Sequence, residues 1–186
     1  MTTKTSLQFT VRTAESADLA ACSALDVSYE TEYAWQMDVR DEDGAIAIGL
    51  RTVRLPRPMR VTYPRETSAI TPEHTHQGSF LVAETSGVVC GYMILRYDVA
   101  HSTCWVTDLA VGRAWRRHKV GSMLLQDAYL RAQMKEFRRL TVETQTKNYP
   151  GICFLQKNGL TFSGFNDQYF PNHDIALFFT QNIHYE

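Results

Sequence analysis

Val106-Thr107-Asp108-Leu109-Ala110-Val111, then Gly112-Arg113-Ala114-Trp115, then Arg116-Arg117-His118-Lys119-Val120-Gly121-Ser122-Met123-Leu124-Leu125 run on without a break. The first six residues read as an apolar strand. The middle is a short basic turn, and the last part opens an amphipathic helix. Helix N-termini carry N–H groups with no acceptor in the helix, and the macrodipole makes that end partly positive. A basic, small-residue turn leading into a helix therefore suits a phosphate or pyrophosphate. Arg116, Arg117, His118 and Lys119 crowd the turn, while Gly121 and Ser122 leave the backbone open to close approach. An ordinary strand-to-helix turn with solvated basic residues would show the same residue types.

Around this stretch the chain gives a coherent α/β order. Gln8 to Thr13 alternates like a strand, and Ala14 to Leu25 like a capped helix. Residues 26–32 read as a helical continuation or a second short helix. Tyr33 to Val39 is strand-like, Arg40 to Gly44 is a turn ending in Asp-Gly, and Ala45 to Leu55 returns as a strand. Pro56 and Pro58 are expected to end it, with Val61 to Tyr63 briefly extended. Arg65 to Gly78 reads as a polar loop. Phe80 to Glu84, Val88 to Tyr97 and Thr103 to Val111 form a three-strand meander. A helix over Val120 to Glu136, a strand over Arg138 to Thr144 and a helix over Tyr149 to Asn158 follow. Gly159 closes that helix as a C-cap. Thr161 to Phe165 and Ile175 to Thr180 make a last hairpin.

Composition narrows the function classes. The chain has 186 residues and a formal net charge of −1, so one domain with a real core is expected, with no bulk attraction to nucleic acid or membrane. No apolar run approaches the roughly 20 residues that span a bilayer, and residues 1–10 lack the apolar core of a secretory signal. A cytoplasmic location is the expectation. Cys22, Cys90, Cys104 and Cys153 are scattered without C-x-x-C spacing, which points to buried free thiols rather than zinc or redox chemistry. His74 and His76, in a Pro- and Thr-rich stretch, read as an exposed loop and not a metal site. No metal is expected.

The strand, basic turn and helix resemble the acetyl-CoA loop of the GNAT superfamily of N-acetyltransferases, whose pattern is a Leu-Ala-Val strand followed by Arg/Gln-x-x-Gly-x-Gly/Ala. Arg116 stands at the Arg/Gln position and Gly121 at the last glycine, while Lys119 replaces the first glycine. The element order is also the GNAT order. The resemblance implies a mixed central sheet flanked by helices, with a parallel strand pair splaying apart to hold acetyl-CoA. Its pantetheine arm would pair with the backbone of Leu109, Ala110 and Val111. The phosphates would meet Arg116 through Ser122, Val120 and Gly121 included. One domain over 1–186, carrying a strand and hairpin insert at 29–63, is the organisation implied.

A second set of motifs narrows the resemblance to the streptothricin acetyltransferases. These are Glu143-Thr144-Gln145, Asn148-Tyr149-Pro150, Lys157-Asn158-Gly159-Leu160, and Asn172-His173-Asp174-Ile175-Ala176-Leu177-Phe178-Phe179 near the end. Trp35-Gln36-Met37-Asp38 and the Asp-Gly hairpin agree with that subgroup's insert. Asn148 suits a helix N-cap and, from the resemblance, a hydrogen bond to the pantetheine arm. Lys157 suits either the helix dipole or the cofactor phosphates. Glu143 could face a cationic substrate or pair with an arginine.

Amine acetylation needs a proton taken from the amine, a polarised carbonyl and a proton for the CoA thiolate. The family's usual Glu and Tyr positions hold Thr107 and Leu155. A water chain ending on Asp108 or Glu143 is left as acceptor, and Tyr149 or Tyr129 as donor, with Asp108 and Tyr149 the leading pair. Tyr33 and Trp35, on one strand face, and Asp38 are the candidate substrate contacts. The run Asp38, Asp41, Glu42, Asp43 reads first as a solvated hairpin tip. The function expected is acetyl transfer from acetyl-CoA to a primary amine of a small cationic molecule, a streptothricin-type antibiotic leading. The alternatives are a peptide or protein amine, or an acyl-CoA-binding module with little turnover. The oligomeric state is open between monomer and homodimer.

Overall fold

The structure is a computed structural model that describes residues 7–64, 70 and 79–185. The polar loop expected at 65–78, with His74 and His76, lies outside the described residues apart from residue 70. The strands are β1 Thr10–Thr13, β2 Tyr29–Glu42, β3 Ala45–Val61, β4 Phe80–Thr85, β5 Val88–Asp98, β6 Thr103–Val111, β7 Arg139–Gln145, β8 Thr161–Asn166 and β9 Ala176–Asn182. The helices are α1 Leu19–Ser23, α2 Val120–Met134 and α3 Tyr149–Lys157. One sheet runs in the order β1-β4-β5-β6-β7-β9-β8; β2 and β3 form a second, two-stranded sheet. The chain divides into two compact units.

The first unit comprises residues 1–27, 65–143 and 180–186. Its strands pair antiparallel from β1 through β6, and β6 pairs parallel with β7 from Thr103↔Arg139 to Val106↔Val142. β4 and β5 are buried almost continuously, as strands covered on both faces must be. Phe80, Leu81, Tyr92 and Met93 pack there, and α2 adds Leu124, Ala128 and Ala132. The expected helix after β1 is shorter than its pattern suggested: a 3-10 turn at Ser16–Asp18 leads into the five-residue α1. Asp18 closes the turn by accepting from the Glu15 N–H at 2.8 Å. Arg12 donates to the same carboxylate at 2.7 and 2.8 Å and to Glu84 at 2.7 Å. The Arg12 hydrogen bond holds the Asp18 carboxyl below the usual carboxylate range.

The second unit comprises residues 28–64 and 144–179. Residues 26–32, expected to be helical, are not: Tyr29 opens β2, and its hydroxyl donates to Gln145 Oε1 at 3.2 Å. Tertiary pairing overrides weak local preference here. The two prolines do not end β3 either. Thr31 pairs with Met59 and Tyr33 with Arg54, so residues 55–58 leave the ladder between those partners and the strand resumes to Val61. Proline is tolerated because it sits in a bulge where no ladder N–H is required. Thr31 Oγ1 secures the step, donating to the Tyr33 carbonyl at 2.6 Å. At the far end Asp43 and Gly44 turn the hairpin with φ of 47° and 87°, as the Asp-Gly signal implies. Ile152, Leu155, Phe170, Leu177 and Phe179 form this unit's core.

Among the described residues no group of His, Cys, Asp and Glu side chains could hold a metal, and no helix is long and apolar enough to cross a membrane. Cys22, Cys90 and Cys104 are buried free thiols, and burial pushes Cys22 and Cys104 up to about 12. Cys153 departs from the expectation of burial: it is exposed on α3.

Candidate active site

In the first unit the site elements are the end of β6 and the turn into α2. Opposite β5, Val106 pairs with Leu95 and Asp108 with Ile94, which leaves Thr107 as the extra residue of a β-bulge. A bulge breaks the two-residue alternation, so the side of the sheet that Asp108 faces cannot be read by counting from Val106. Thr107 Oγ1 points to the Ile94 carbonyl at 3.4 Å, and Asp108 is half-buried. Past the bulge, Gly91 lets β5 approach closely. A Cβ there would lie 2.7 Å from the Ala110 carbonyl oxygen, so a side chain at 91 would displace the Leu109–Val111 backbone.

The turn is held from within this unit. Gly112 N–H donates to Cys90 O at 2.9 Å and Arg113 N–H to Asp26 O at 2.8 Å. Arg116 extends back, its Nε donating to Val111 O at 3.1 Å and its Nη2 to Val27 O at 2.9 Å. The Arg116 guanidinium thus anchors the turn to its own backbone, a role the sequence pattern did not disclose. Arg117 and Lys119 adopt φ of 68° and 65°, with Lys119 as the left-handed N-cap of α2. Lys119 thereby takes a backbone conformation that explains the glycine usual at its position. No side chain caps α2 and no acidic residue lies in its first turn. The amides of Val120, Gly121 and Ser122 are left as first-turn donors by helix geometry. Arg117, His118 and Lys119 are exposed beside them, and His118 Nδ1 sits 2.9 Å from Arg116 O. A polyanion with a diphosphate fits this turn in charge and in donor type.

In the second unit the elements are the end of β7, the following turn and α3. Asn148 is the N-cap: its Oδ1 accepts from Gly151 N–H at 3.0 Å and its Nδ2 donates to Thr144 Oγ1 at 3.0 Å. Gly151 is needed for this, since a Cβ there would lie 2.4 Å from Asn148 Nδ2. Tyr149 opens α3, its ring 5.3 Å from Tyr33, and its hydroxyl bonds with Cys153 one turn on. That bond raises the phenol above its ordinary range, so it keeps its proton at neutral pH. Leu155 is buried, so it offers no replacement for a missing acid. Lys157 lies in the last turn of α3, where its charge suits the dipole.

The three substrate candidates separate. Trp35 packs against Phe162 and Phe179 at 6.0 and 5.8 Å, a core role, and its backbone N–H donates to Thr146 O at 2.9 Å. Asp38 pairs with Arg51 at 3.5 Å along the hairpin. Tyr33 alone stays with Tyr149, and is 37% exposed. Glu143 is buried at the end of the first unit's part of β7. A network not anticipated joins motif residues: Gln145 donates to Asp174 Oδ2 at 2.6 Å, Asn172 donates to the same oxygen at 3.0 Å, and Lys147 pairs with Asp174 Oδ1. Both halves of it stood in the quoted motifs, but nothing in sequence pairs Gln145 with Asp174.

The pattern of the acetyltransferase (GNAT) family matches residues 50–160, more than half of the chain. The chain belongs to the GNAT acetyltransferase family. It is an acetyl-CoA-dependent acetyltransferase with the GNAT fold, and β6 and β7 are its parallel strand pair. A streptothricin acetyltransferase of Streptomyces lavendulae is 23% identical over 169 residues, 88% of this chain and 87% of that protein. A crystal structure of nourseothricin acetyltransferase superposes with a TM-score of 0.81 at 22% identity, over 95% of this chain and 99% of that one. A structure described as a streptothricin acetyltransferase candidate from Bacillus anthracis str. Ames, in complex with acetyl coenzyme A, gives 0.74 at 17% identity over 96% and 99%.

Proposed function

We propose that this GNAT acetyltransferase acetylates a primary amine of a small cationic molecule of the streptothricin type. The observation that carries the reading is the extent of the likeness. The streptothricin and nourseothricin acetyltransferases are matched over nearly the whole chain, which takes in the β2–β3 hairpin and the C-terminal strands as well as the cofactor core. Substrate choice in a shared fold resides in such added elements, not in the common thioester site.

In this reading the backbone of Leu109 to Val111 polarises the thioester carbonyl, and the amides of 120–122 with the cations Arg117, His118 and Lys119 hold the diphosphate. The neutral amine attacks the carbonyl carbon, and the C–S bond breaks. Asp108 takes the amine proton, and the Tyr149 phenol gives one to the departing thiolate. Asn148 acts mainly by fixing the start of α3, and so the place of Tyr149. Tyr33 offers an aromatic face to a cationic substrate.

The test is thiol release from acetyl-CoA by the full chain against a panel of amines: streptothricins, simple diamines and peptides with a free N-terminus. Amine-dependent release that is strongest for streptothricins, with the acetylated product seen by mass spectrometry, supports the proposal. Preference for peptides moves the acceptor to a protein amine. Binding of acetyl-CoA with no amine-dependent release makes the chain an acyl-CoA-binding module.

A further inference from the structure

The β2–β3 hairpin is long for a two-stranded sheet, with 14 residues in β2 and 17 in β3. Among the described residues β3 pairs only with β2, so its other side is a sheet edge. Natural edges are guarded by charges, prolines or bulges. On β3 the guards are confined to one part: Arg51, Arg54, Pro56, Arg57, Pro58 and Arg60 all fall in the half after Leu50. The half before it, Ala45-Ile46-Ala47-Ile48-Gly49-Leu50, has none. Ala45 to Gly49 are exposed throughout, Ile46 at 72% and Ile48 at 48%.

We infer that this segment is a self-association edge, where a second copy of the chain adds its own Ile46–Leu50 strand antiparallel about a two-fold axis at Ile48. The sequence is self-complementary in that register. Ile48 faces the second copy's Ile48, Ile46 faces Leu50, and Ala47 faces Gly49, so large side chains meet large and small meet small. Apolar cross-strand pairs of this kind are the unit of sheet stability. Val39 pairs with Ile48 and is 59% exposed on the same face, so the apolar row would continue across four strands. A five-residue edge lies at the small end of interfaces, so the dimer should form in the micromolar range.

The test is sedimentation velocity on the full chain from about 2 to 200 µM, a span set around that range. A concentration-dependent dimer is expected. Ile48→Lys would set two like charges opposite each other and should leave a monomer at every concentration, with circular dichroism confirming the fold. Should that variant misfold, a crosslink decides. In a Cys153→Ser background, Ile48→Cys should oxidise to a disulfide-linked dimer, because only residue 48 faces itself, while Ile46→Cys should link far less. A monomeric wild type at 200 µM, a dimer undisturbed by Ile48→Lys, or equal linking at 46 and 48 would each overturn the inference.

Discussion

The turn from β6 into α2 and the segment from Gln145 through α3 are both candidate site elements, yet they are built differently. The first presents backbone: carbonyls and amides of 109–111, amides of 120–122, and a guanidinium, Arg116, spent on holding that backbone. The second presents side chains that mostly hold one another, as Asn148 does with Thr144 and Gln145 and Lys147 do with Asp174. A backbone site tolerates many side chains provided the φ angles are kept. A side-chain site changes with each substitution.

Several substitutions could break or sharpen that contrast. The largest effect is expected from the one charged side chain at the functional end of β6. Asp108→Asn should lower turnover roughly a hundredfold, with acetyl-CoA affinity little changed. Near-native turnover would shift the acceptor to Glu143 or to solvent. Trp35→Ala should cost about 2 kcal/mol in a denaturant titration, less than a fully buried Trp because this one is half-buried, and should leave the amine KM of the folded protein alone. Tyr33→Ala is the converse. It should raise the amine KM by about tenfold, which is about 1.4 kcal/mol, with little loss of stability. If both variants move KM together, the two aromatics line one surface and Trp35 is a substrate contact rather than core.

The smallest effect concerns Lys119. Its φ of 65° is strained for any residue with a Cβ, so Lys119→Gly should stabilise the fold by roughly 0.5–1 kcal/mol, a Tm rise of a few degrees. Acetyl-CoA affinity should fall no more than about threefold, since an exposed charge is lost and the amide is kept. A large affinity loss would mean that the side chain, not the backbone, makes this site.

Much of the contrast was legible beforehand. β6 was delimited at Thr103 to Val111, as found, because an apolar strand bounded by a basic turn and a periodic helix leaves little choice. The Leu-Ala-Val strand and the Arg116–Gly121 spacing then carried the family. The bulge at Thr107 was not legible, since it depends on register against β5. The continuation of β3 past Pro56 and Pro58 was missed for a related reason: a proline is excluded from a ladder, not from a bulge, and only pairing tells which applies. Trp35 and Tyr33 share a face by alternation, but what covers each comes from β8, β9 and α3, far along the chain. The same holds for Asp174, whose partners Gln145 and Lys147 are joined to it only by folding.

The backbone character of the first region is tested most directly at Gly121. Titration calorimetry of acetyl-CoA into the wild type and into Gly121→Asp compares an open amide cradle with one that carries a carboxylate at the same place. The expected result is a loss of about 2 kcal/mol or more, roughly thirtyfold in Kd, with circular dichroism and Tm showing the fold intact. Unchanged affinity in a folded Gly121→Asp protein would contradict the placement of the diphosphate at the N-terminus of α2.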